Sequence, residues 1–272
     1  MTITSLRPSV SASSGTYVHV VMLTGSMTPT LEVGDVLTIE TTTNASQINA
    51  ANQPDGDIIA FYRPKPDSNL SDQLIIHRAI TAEYNASNGL VYFQTKGDAN
   101  PVHDLFYDYR GANYTCDGKI SEKLLFGKVV AFQRSLYIGT WGDVPYNVTV
   151  YTNSTFINLN FNETQKQISF DITSHICQAE AGFFNVTFRK NLLWSSEMFD
   201  WQVRLNGTSI PFELHSNETH TYVYFTHGYS THHVQIIGTE AIWEFPSILV
   251  LPAFMMATIL AIILRKNRRI LH

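Results

Sequence analysis

Ser26 lies in the stretch TGSMTPTLEVGD, between a glycine and a methionine and just before a proline turn. A serine hydroxyl at such a turn is lifted off the backbone, where a substrate can meet it. A hydroxyl is nevertheless a poor nucleophile until a neighbouring base takes its proton, and that base needs a partner to orient it. The rest of the sequence must supply both groups.

His77 is the candidate base. It stands in the strand-like run LIIHRAI and, by the two-residue period of a strand, shares a face with apolar neighbours. A neutral imidazole accepts a proton at one nitrogen and donates from the other to a carboxylate. The segment TKGDANPVHD supplies two carboxylates, Asp98 and Asp104. Ser26, His77 and one of these acids would make a nucleophile, a base and an orienting group.

Short apolar runs broken by turn signals must position these residues. Between residue 17 and about residue 140 they read YVHVVML, DVLTIE, DIIAFY, QLIIHRAI, LVYFQTKGD and LLFGKVVAF. After LYIGTWGDVPYN, about seven alternating strands follow in about 95 residues, which is typical of an immunoglobulin-like sandwich. We expect a mainly β chain with a polar N-terminal segment (1–16), a catalytic β domain (17–142) and a β-sandwich (143–240).

The distribution of charge argues against nucleic acid as a partner. The net charge is −5, but four of the 18 basic residues lie in the last eight positions. Without them, 14 basic residues face 23 acidic ones, so the body carries −9. Phosphate binding depends on Lys and Arg, so such a body would repel nucleic acid.

The C-terminal region, residues 241–272, has the pattern of a membrane anchor. The 19 residues Pro246–Leu264 contain no charge, and a helix of this length spans a hydrocarbon layer of roughly 30 Å. The basic run RKNRR follows directly and favours a cytoplasmic C-terminus. We therefore expect a single-pass protein of the cell membrane whose preceding residues are extracytoplasmic.

Ten Asn-x-Ser/Thr sequons precede this span, and sequons mark surface loops of exported proteins. The chain is therefore expected to be a glycoprotein. The sequon asparagines are Asn44, Asn69, Asn85, Asn113, Asn147, Asn153, Asn162, Asn185, Asn206 and Asn217.

Cysteine and histidine spacing gives no sign of a metal or another cofactor. Cys116 and Cys177 are the two cysteines; they are compatible with one disulfide or with two separate buried thiols. No CxxC or zinc spacing is present. Five histidines form a loose group whose spacing fits no metal template, and they are expected on the solvated surface: His215, His220, His227, His232 and His233.

The ordered segments TGSMTPTLEVGD, GDIIAFYRP…IIHRAI, YFQTKGDANPVHD and LFGKVVAF resemble the boxes of signal peptidase I. Within that family the chain is similar to the archaeal and endoplasmic-reticulum type, whose base is His where the bacterial type has Lys. The resemblance covers residue 18 to about residue 140. It implies that Ser26 is the acylating nucleophile, that His77 is the general base and later protonates the leaving amine, and that Asp104 orients the imidazole.

The same resemblance assigns supporting roles. Asp98 matches a second important acidic position, whose division of work with Asp104 stays open. The backbone N–H of Ser26 and the hydroxyl of Thr24 are the expected oxyanion donors. Asp35 and Asp57, each after a glycine, match the family segments as well, but turn chemistry alone explains a Gly-Asp pair, so we expect them to act structurally.

Lysine is the alternative base. Lys65 and Lys96 both lie in polar turns, whereas a lysine base would have to be buried to lose its proton near neutral pH.

Members of the family usually carry a transmembrane anchor just before the serine, and the residues that precede Ser26 here do not contain one. We expect either that this anchor lies upstream of Met1 or that the C-terminal helix is the tether.

Two functions compete. The first is a membrane-bound serine endopeptidase that removes signal peptides from translocated preproteins, cutting after small residues at the first and third positions before the bond. Its partners would be signal peptides, membrane lipid and the protein translocation machinery. The second is a catalytically inactive, glycosylated cell-envelope protein whose sandwich binds a partner.

Overall fold

The chain folds mainly into β-strands. The computed structural model describes residues 16–41, 43–63, 73–104, 118–141, 143–175, 181–228 and 230–242. Strands hold 59% of these residues, and helical structure among them is limited to three 3₁₀ turns, Ala45–Gln47, Glu122–Leu124 and Met198–Asp200. The prediction of a mainly β fold is confirmed.

Eighteen strands occur in the described residues. The first nine are β1 Tyr17–Val21, β2 Val36–Glu40, β3 Ile58–Tyr62, β4 Leu74–Asn85, β5 Leu90–Lys96, β6 Lys119–Ser121, β7 Leu125–Trp141, β8 Val144–Thr152 and β9 Ser154–Asn162. The others are β10 Gln167–His175, β11 Gly182–Arg189, β12 Leu193–Trp194, β13 Gln202–Leu205, β14 Thr208–Ser209, β15 Glu213–Ser216, β16 His220–His227, β17 His232–Ile237 and β18 Glu240–Ala241.

These strands form two larger sheets and one pair. The largest sheet has 11 strands in the order β15-β16-β11-β8-β7-β3-β4-β5-β6, with β2 pairing beside β7 and β1 pairing with β2. A five-stranded sheet has the order β14-β13-β17-β10-β9, and β12 pairs with β18. Neighbouring strands are antiparallel, as their hairpin connections and alternating patterns favour.

Strand β7 is the longest and joins the two halves of the large sheet. Its beginning pairs with β3 and β2, and from Phe132 onward it pairs with β8. The expected boundary between the two β domains, at residues 142 and 143, therefore falls between the end of β7 and the beginning of β8. Strands from both sides of that boundary share one hydrogen-bonded sheet.

Two apolar clusters fill the spaces beside the sheets. The larger one extends from Met27 and Leu31, next to the candidate nucleophile, to aromatic rings of the second half of the chain. Phe156, Phe170 and Phe184 lie within ring contact of one another, at centroid distances of 5.0–5.9 Å. Complete burial of each such ring contributes about 2 kcal/mol. A smaller cluster around Phe61, Phe93, Ile59 and Ile120 packs elsewhere on the first strands.

Two sequons depart from the expected surface position. The side chain of Asn153 is buried and donates to the carbonyl of Ala181 at 3.3 Å. Asn185 lies within β11, between β8 and β16, and its side-chain oxygen is buried. A sequon is a three-residue pattern that carries no information on burial. The expected position in a surface loop was therefore wrong for Asn153 and Asn185.

Several predicted features lie outside the described residues. They are Cys116, Cys177, Lys65, the sequons at Asn69 and Asn113, and the expected transmembrane helix 246–264. Within the described ranges, no helix is long and apolar enough to cross a membrane.

Candidate active site

Ser26 is held on the loop that joins β1 to β2. The base of this loop is closed by backbone hydrogen bonds from Met22 N to Asp35 O and from Gly34 N to Met22 O, each 2.8 Å long. The next residue, Met27, is completely buried in the larger cluster. Burial of Met27 fixes the backbone beside Ser26, so the serine is presented by a rigid loop rather than by a free one.

His77 meets Ser26 from β4. Its Nε2 atom lies 3.0 Å from the Oγ atom of Ser26, which is hydrogen-bond distance. His77 pairs in register with Ile59 of β3, so the strand position of the imidazole is fixed by a ladder in the middle of the sheet. The predicted nucleophile and base are therefore brought together across 51 residues of sequence.

Asp104 lies on the other side of the imidazole. Its Oδ2 atom is 2.5 Å from His77 Nδ1 and accepts a second hydrogen bond from Thr95 Oγ1 at 2.7 Å. The backbone N–H of Asp104 also donates to the Thr95 carbonyl at 2.8 Å. When the Asp104 carboxylate accepts from Nδ1–H, the lone pair of Nε2 is directed at Ser26. Sequence reasoning did not single out Thr95, which is buried on β5.

Asp98 has different partners. Its carboxylate accepts two hydrogen bonds from Arg78, from Nε at 2.8 Å and from Nη2 at 2.6 Å. Thr30 Oγ1 donates to the same carboxylate at 2.5 Å. The Asp98 and Arg78 side chains are each only 2% exposed. Asp98 thus ties the serine loop, through Thr30, to the residue that follows His77 on β4.

Arg78 is held from further directions. Its Nη1 atom donates to the carbonyl oxygens of Pro54 and Gly56. A buried guanidinium needs this many acceptors, because an unpaired buried charge is strongly destabilising. Sequence reasoning did not single out Arg78, although it directly follows His77 in LIIHRAI.

Gly97 lies beside Ser26 and His77. A Cβ atom at this position would lie 2.6 Å from the Ser26 carbonyl oxygen and 3.0 Å from His77 Nε2. The turn that follows Gly97 is hydrogen-bonded to the serine loop, since Ala99 N donates to the Ser26 carbonyl at 2.9 Å. Only a residue without a side chain fits between Ser26 and His77 here, and the sequence signal was the glycine that precedes Asp98.

Thr24 lies near the nucleophile. Its Oγ1 atom is 3.4 Å from Ser26 Oγ, at the outer limit of a hydrogen bond. Within the described part of the chain, the backbone N–H of Ser26 has no hydrogen-bond acceptor. These two donors are the pair expected to face an oxyanion.

The remaining acidic and basic candidates are ion-paired or bonded to backbone. Asp35 is buried and accepts two hydrogen bonds from Arg134, at 2.8 and 2.7 Å. Asp57 is also buried; it accepts from Asn49 N at 2.8 Å and lies 3.5 Å from Lys128 Nζ. The ammonium group of Lys96 is 3.4 Å from the Gly97 carbonyl.

The histidines of the second half of the chain differ in their exposure to solvent. His227 is only 5% exposed; its Nε2 lies 3.2 Å from Ser154 Oγ and its Nδ1 lies 2.9 Å from the Gly228 carbonyl. The prediction of a solvated surface was therefore wrong for His227. His233 is half exposed and contacts Asp171 at 2.7 Å. Among the described residues, no group of three or more His, Cys, Asp or Glu is arranged to hold a metal ion.

Asp171 shows a perturbed carboxyl group at this surface. Hydrogen bonds from Asn158 and His233 hold the pKa of Asp171 below its ordinary value of 3.8, because both stabilise the ionised form. The group is a local hydrogen-bonded cluster of the five-stranded sheet and lies in a different sheet from Ser26.

No family model, curated protein or solved structure matches this chain. The resemblance to signal peptidase I therefore stays a prediction. Because a fold alone gives no activity, the function is inferred from the arrangement of Ser26, His77 and Asp104.

Proposed function

We propose that the protein is a serine endopeptidase of the signal peptidase I class that uses histidine as its base. One observation carries this proposal: Ser26 Oγ lies 3.0 Å from His77 Nε2, while Asp104 Oδ2 lies 2.5 Å from Nδ1 of the same ring. A hydroxyl, an imidazole and a carboxylate in this order are the groups needed for acyl transfer at neutral pH. Their mutual distances need no rearrangement before a substrate binds.

The proposed reaction has two stages. Ser26 Oγ attacks the scissile carbonyl while His77 takes its proton, and the imidazolium is stabilised by Asp104. The Ser26 N–H and the Thr24 hydroxyl face the oxygen on which negative charge develops. His77 then gives its proton to the leaving amine, which frees the new N-terminus. A water molecule deprotonated by His77 hydrolyses the acyl-enzyme and restores the serine.

The surroundings of Ser26 support an apolar, membrane-associated substrate. Leu23, three residues before the nucleophile, is 80% exposed, and Val21 and Val33 of the same region are exposed as well. Exposed apolar side chains grouped beside a reactive centre indicate contact with an apolar partner. Signal peptides and membrane lipid are such partners. The resemblance further implies cleavage after small residues and an association with the translocation machinery.

The same proposal includes the finer architecture. Residues 17–142 form a signal-peptidase-like β domain, residues 143–240 an immunoglobulin-like sandwich, and residues 246–264 the transmembrane helix. The catalytic centre then lies on the extracytoplasmic side of the cell membrane, and the basic tail lies in the cytoplasm.

The test is cleavage of a preprotein with small residues before the cut, incubated with the full chain in lipid vesicles. We expect Ser26→Ala and His77→Ala each to reduce the cleavage rate by on the order of 10⁶-fold. Lys96→Ala is the matched control, because its ammonium contacts only the Gly97 carbonyl among described groups, and it should cleave at the wild-type rate. Cleavage retained in the serine variant refutes the proposal.

The second candidate is an inactive glycosylated envelope protein. Its support is the set of sequon asparagines that the structure leaves exposed: Asn44, Asn147, Asn206 and Asn217. If the wild-type chain carries glycans at these positions and cleaves no preprotein, this second function replaces the first.

A further inference from the structure

A pocket of about 530 Å³ is formed by residues between Lys190 and Thr221, which are distant in sequence from Ser26. It is an open pocket lined by the segment 190–201 on one side and by residues of β15 and β16 on the other. Small-ligand sites have volumes of roughly 300–1,000 Å³, so this pocket is large enough for one ring-sized ligand. The proposed peptidase reaction makes no use of it.

The walls of the pocket are held by contacts within the protein. Ser216 of β15 pairs in register with Thr221 of β16, so both side chains face the pocket from the same side of the sheet. Trp201 is buried and packs against Phe188, with ring centroids 6.1 Å apart. The backbone of Trp194 is held by the N–H of Thr239, which donates to its carbonyl at 3.0 Å. Trp194 is 36% exposed and contributes an aromatic side chain to the lining.

The polar groups of the pocket are numerous and balanced in charge. Lys190 and Glu197 line it with opposite charges, and neither forms an ion pair with another described residue. Asn191 donates to the Tyr146 hydroxyl at 2.8 Å, which leaves its side-chain oxygen as an acceptor. Serine and threonine hydroxyls supply further donors and acceptors.

This lining selects among ligand classes. A phosphate or another anion would gain one lysine but would face a glutamate. A purely apolar ligand would bury the hydroxyls and charges without partners, which is costly. A neutral ring with an apolar face and several hydroxyl groups satisfies both parts of the lining, because one face packs on an indole while its edge exchanges hydrogen bonds.

We propose that this pocket binds a neutral sugar ring, a hexose or N-acetylhexosamine, stacked on Trp194 and hydrogen-bonded through Asn191, Glu197 and the hydroxyls. Such a ring has two sources. It could belong to a free or foreign glycan, or to a glycan of this chain, since the exposed sequon residue Asn217 directly follows the pocket residue Ser216.

The experiment titrates the unglycosylated full chain with glucose, mannose, galactose and N-acetylglucosamine, and follows tryptophan fluorescence and saturation-transfer NMR of the sugar. We expect saturable binding of at least one sugar with a Kd of about 1 mM, typical of a weak single-ring ligand. Trp194→Ala should weaken this binding at least tenfold. Phe199→Ala is the matched control: Phe199 is an aromatic residue of the same segment, is 82% exposed and does not line the pocket, and its loss should leave the Kd unchanged.

A second experiment distinguishes a glycan of this chain from a foreign sugar. If the glycan on Asn217 occupies the pocket, glycosylated wild type binds the free sugar more weakly than glycosylated Asn217→Gln; if the sugar is foreign, the two bind equally. The proposal is overturned if no sugar gives saturable binding up to about 100 mM, or if the Trp194 and Phe199 variants lose affinity equally. Saturation by the zwitterion glycylglycine alone also overturns it.

Discussion

Replacing Gly97 by alanine tests the geometry of the candidate active site most directly. The added Cβ would lie 2.6 Å from the Ser26 carbonyl oxygen, 2.7 Å from Asn100 Nδ2 and 3.0 Å from His77 Nε2. Asn100 has a side chain that can turn away, but the Ser26 carbonyl belongs to the backbone. To restore an ordinary contact of 3.4 Å, the serine backbone must move by about 0.8 Å.

The expected effect is kinetic more than structural. A displacement of about 1 Å between reacting groups can cost on the order of 100-fold in rate, so we expect kcat for preprotein cleavage to fall by about that factor. Overpacking adds a loss of about 1–3 kcal/mol in unfolding free energy. Initial cleavage rates at saturating substrate and the denaturant midpoint of the same preparation measure both quantities.

Gly228→Ala is the control for this substitution. A Cβ at Gly228 meets no atom within 4 Å, and neither Gly97 nor Gly228 has a positive φ, so the comparison isolates steric contact from backbone preference. Gly228→Ala should retain the wild-type kcat. If folded Gly97→Ala cleaves within about twofold of wild type, Ser26 and His77 do not react in the arrangement described.

Three further substitutions test separate parts of the structure. Asp104→Asn should lower kcat by on the order of 10⁴-fold with little change in thermal stability, because an amide can hold the His77 ring in the wrong tautomer; steady-state kinetics and a melting curve check this. Asp98→Ala should instead lower the unfolding free energy by about 3–5 kcal/mol, because it leaves the buried Arg78 unpaired. If the variant has the same denaturant midpoint as wild type, this expectation is contradicted. The lowered pKa of Asp171 means that its ionised form stabilises the folded state above pH 3.8 and that this contribution disappears as the pH falls through the depressed pKa. The stability difference between wild type and Asp171→Asn should therefore shrink on acidification below pH 3.8, and a constant difference would count against the lowered pKa of Asp171.

Individual strands of this fold could be predicted from the sequence. Apolar runs such as DVLTIE and DIIAFY contain strands at Val36–Glu40 and Ile58–Tyr62, because β-branched and aromatic residues between turn signals pack well on a pleated surface. The three groups of the proposed reaction were also found by type. A hydroxyl, an imidazole and a carboxylate are recognisable in isolation, and the structure brings all three within hydrogen-bond distance.

Partners that are distant in sequence could not be derived. Arg134 meets Asp35 across 99 residues, and no local pattern specifies which strands become neighbours. The sequence likewise left the roles of Asp98 and Asp104 undivided, because spacing within one loop does not say which carboxylate reaches the imidazole. Burial of His227 was readable in principle: in HTYVYFTH it shares the inward face of β16 with Val223 and Phe225 by the two-residue period.

The continuous strand β7 limits how this chain can be divided. A polypeptide cut after residue 141 would keep the first half of β7 paired but would deprive Phe132–Trp141 of β8. That stretch would become an open edge, which invites pairing with another molecule. The half that carries Ser26 and His77 is therefore not expected to fold as a separate module, and both halves are expected to melt in a single calorimetric transition.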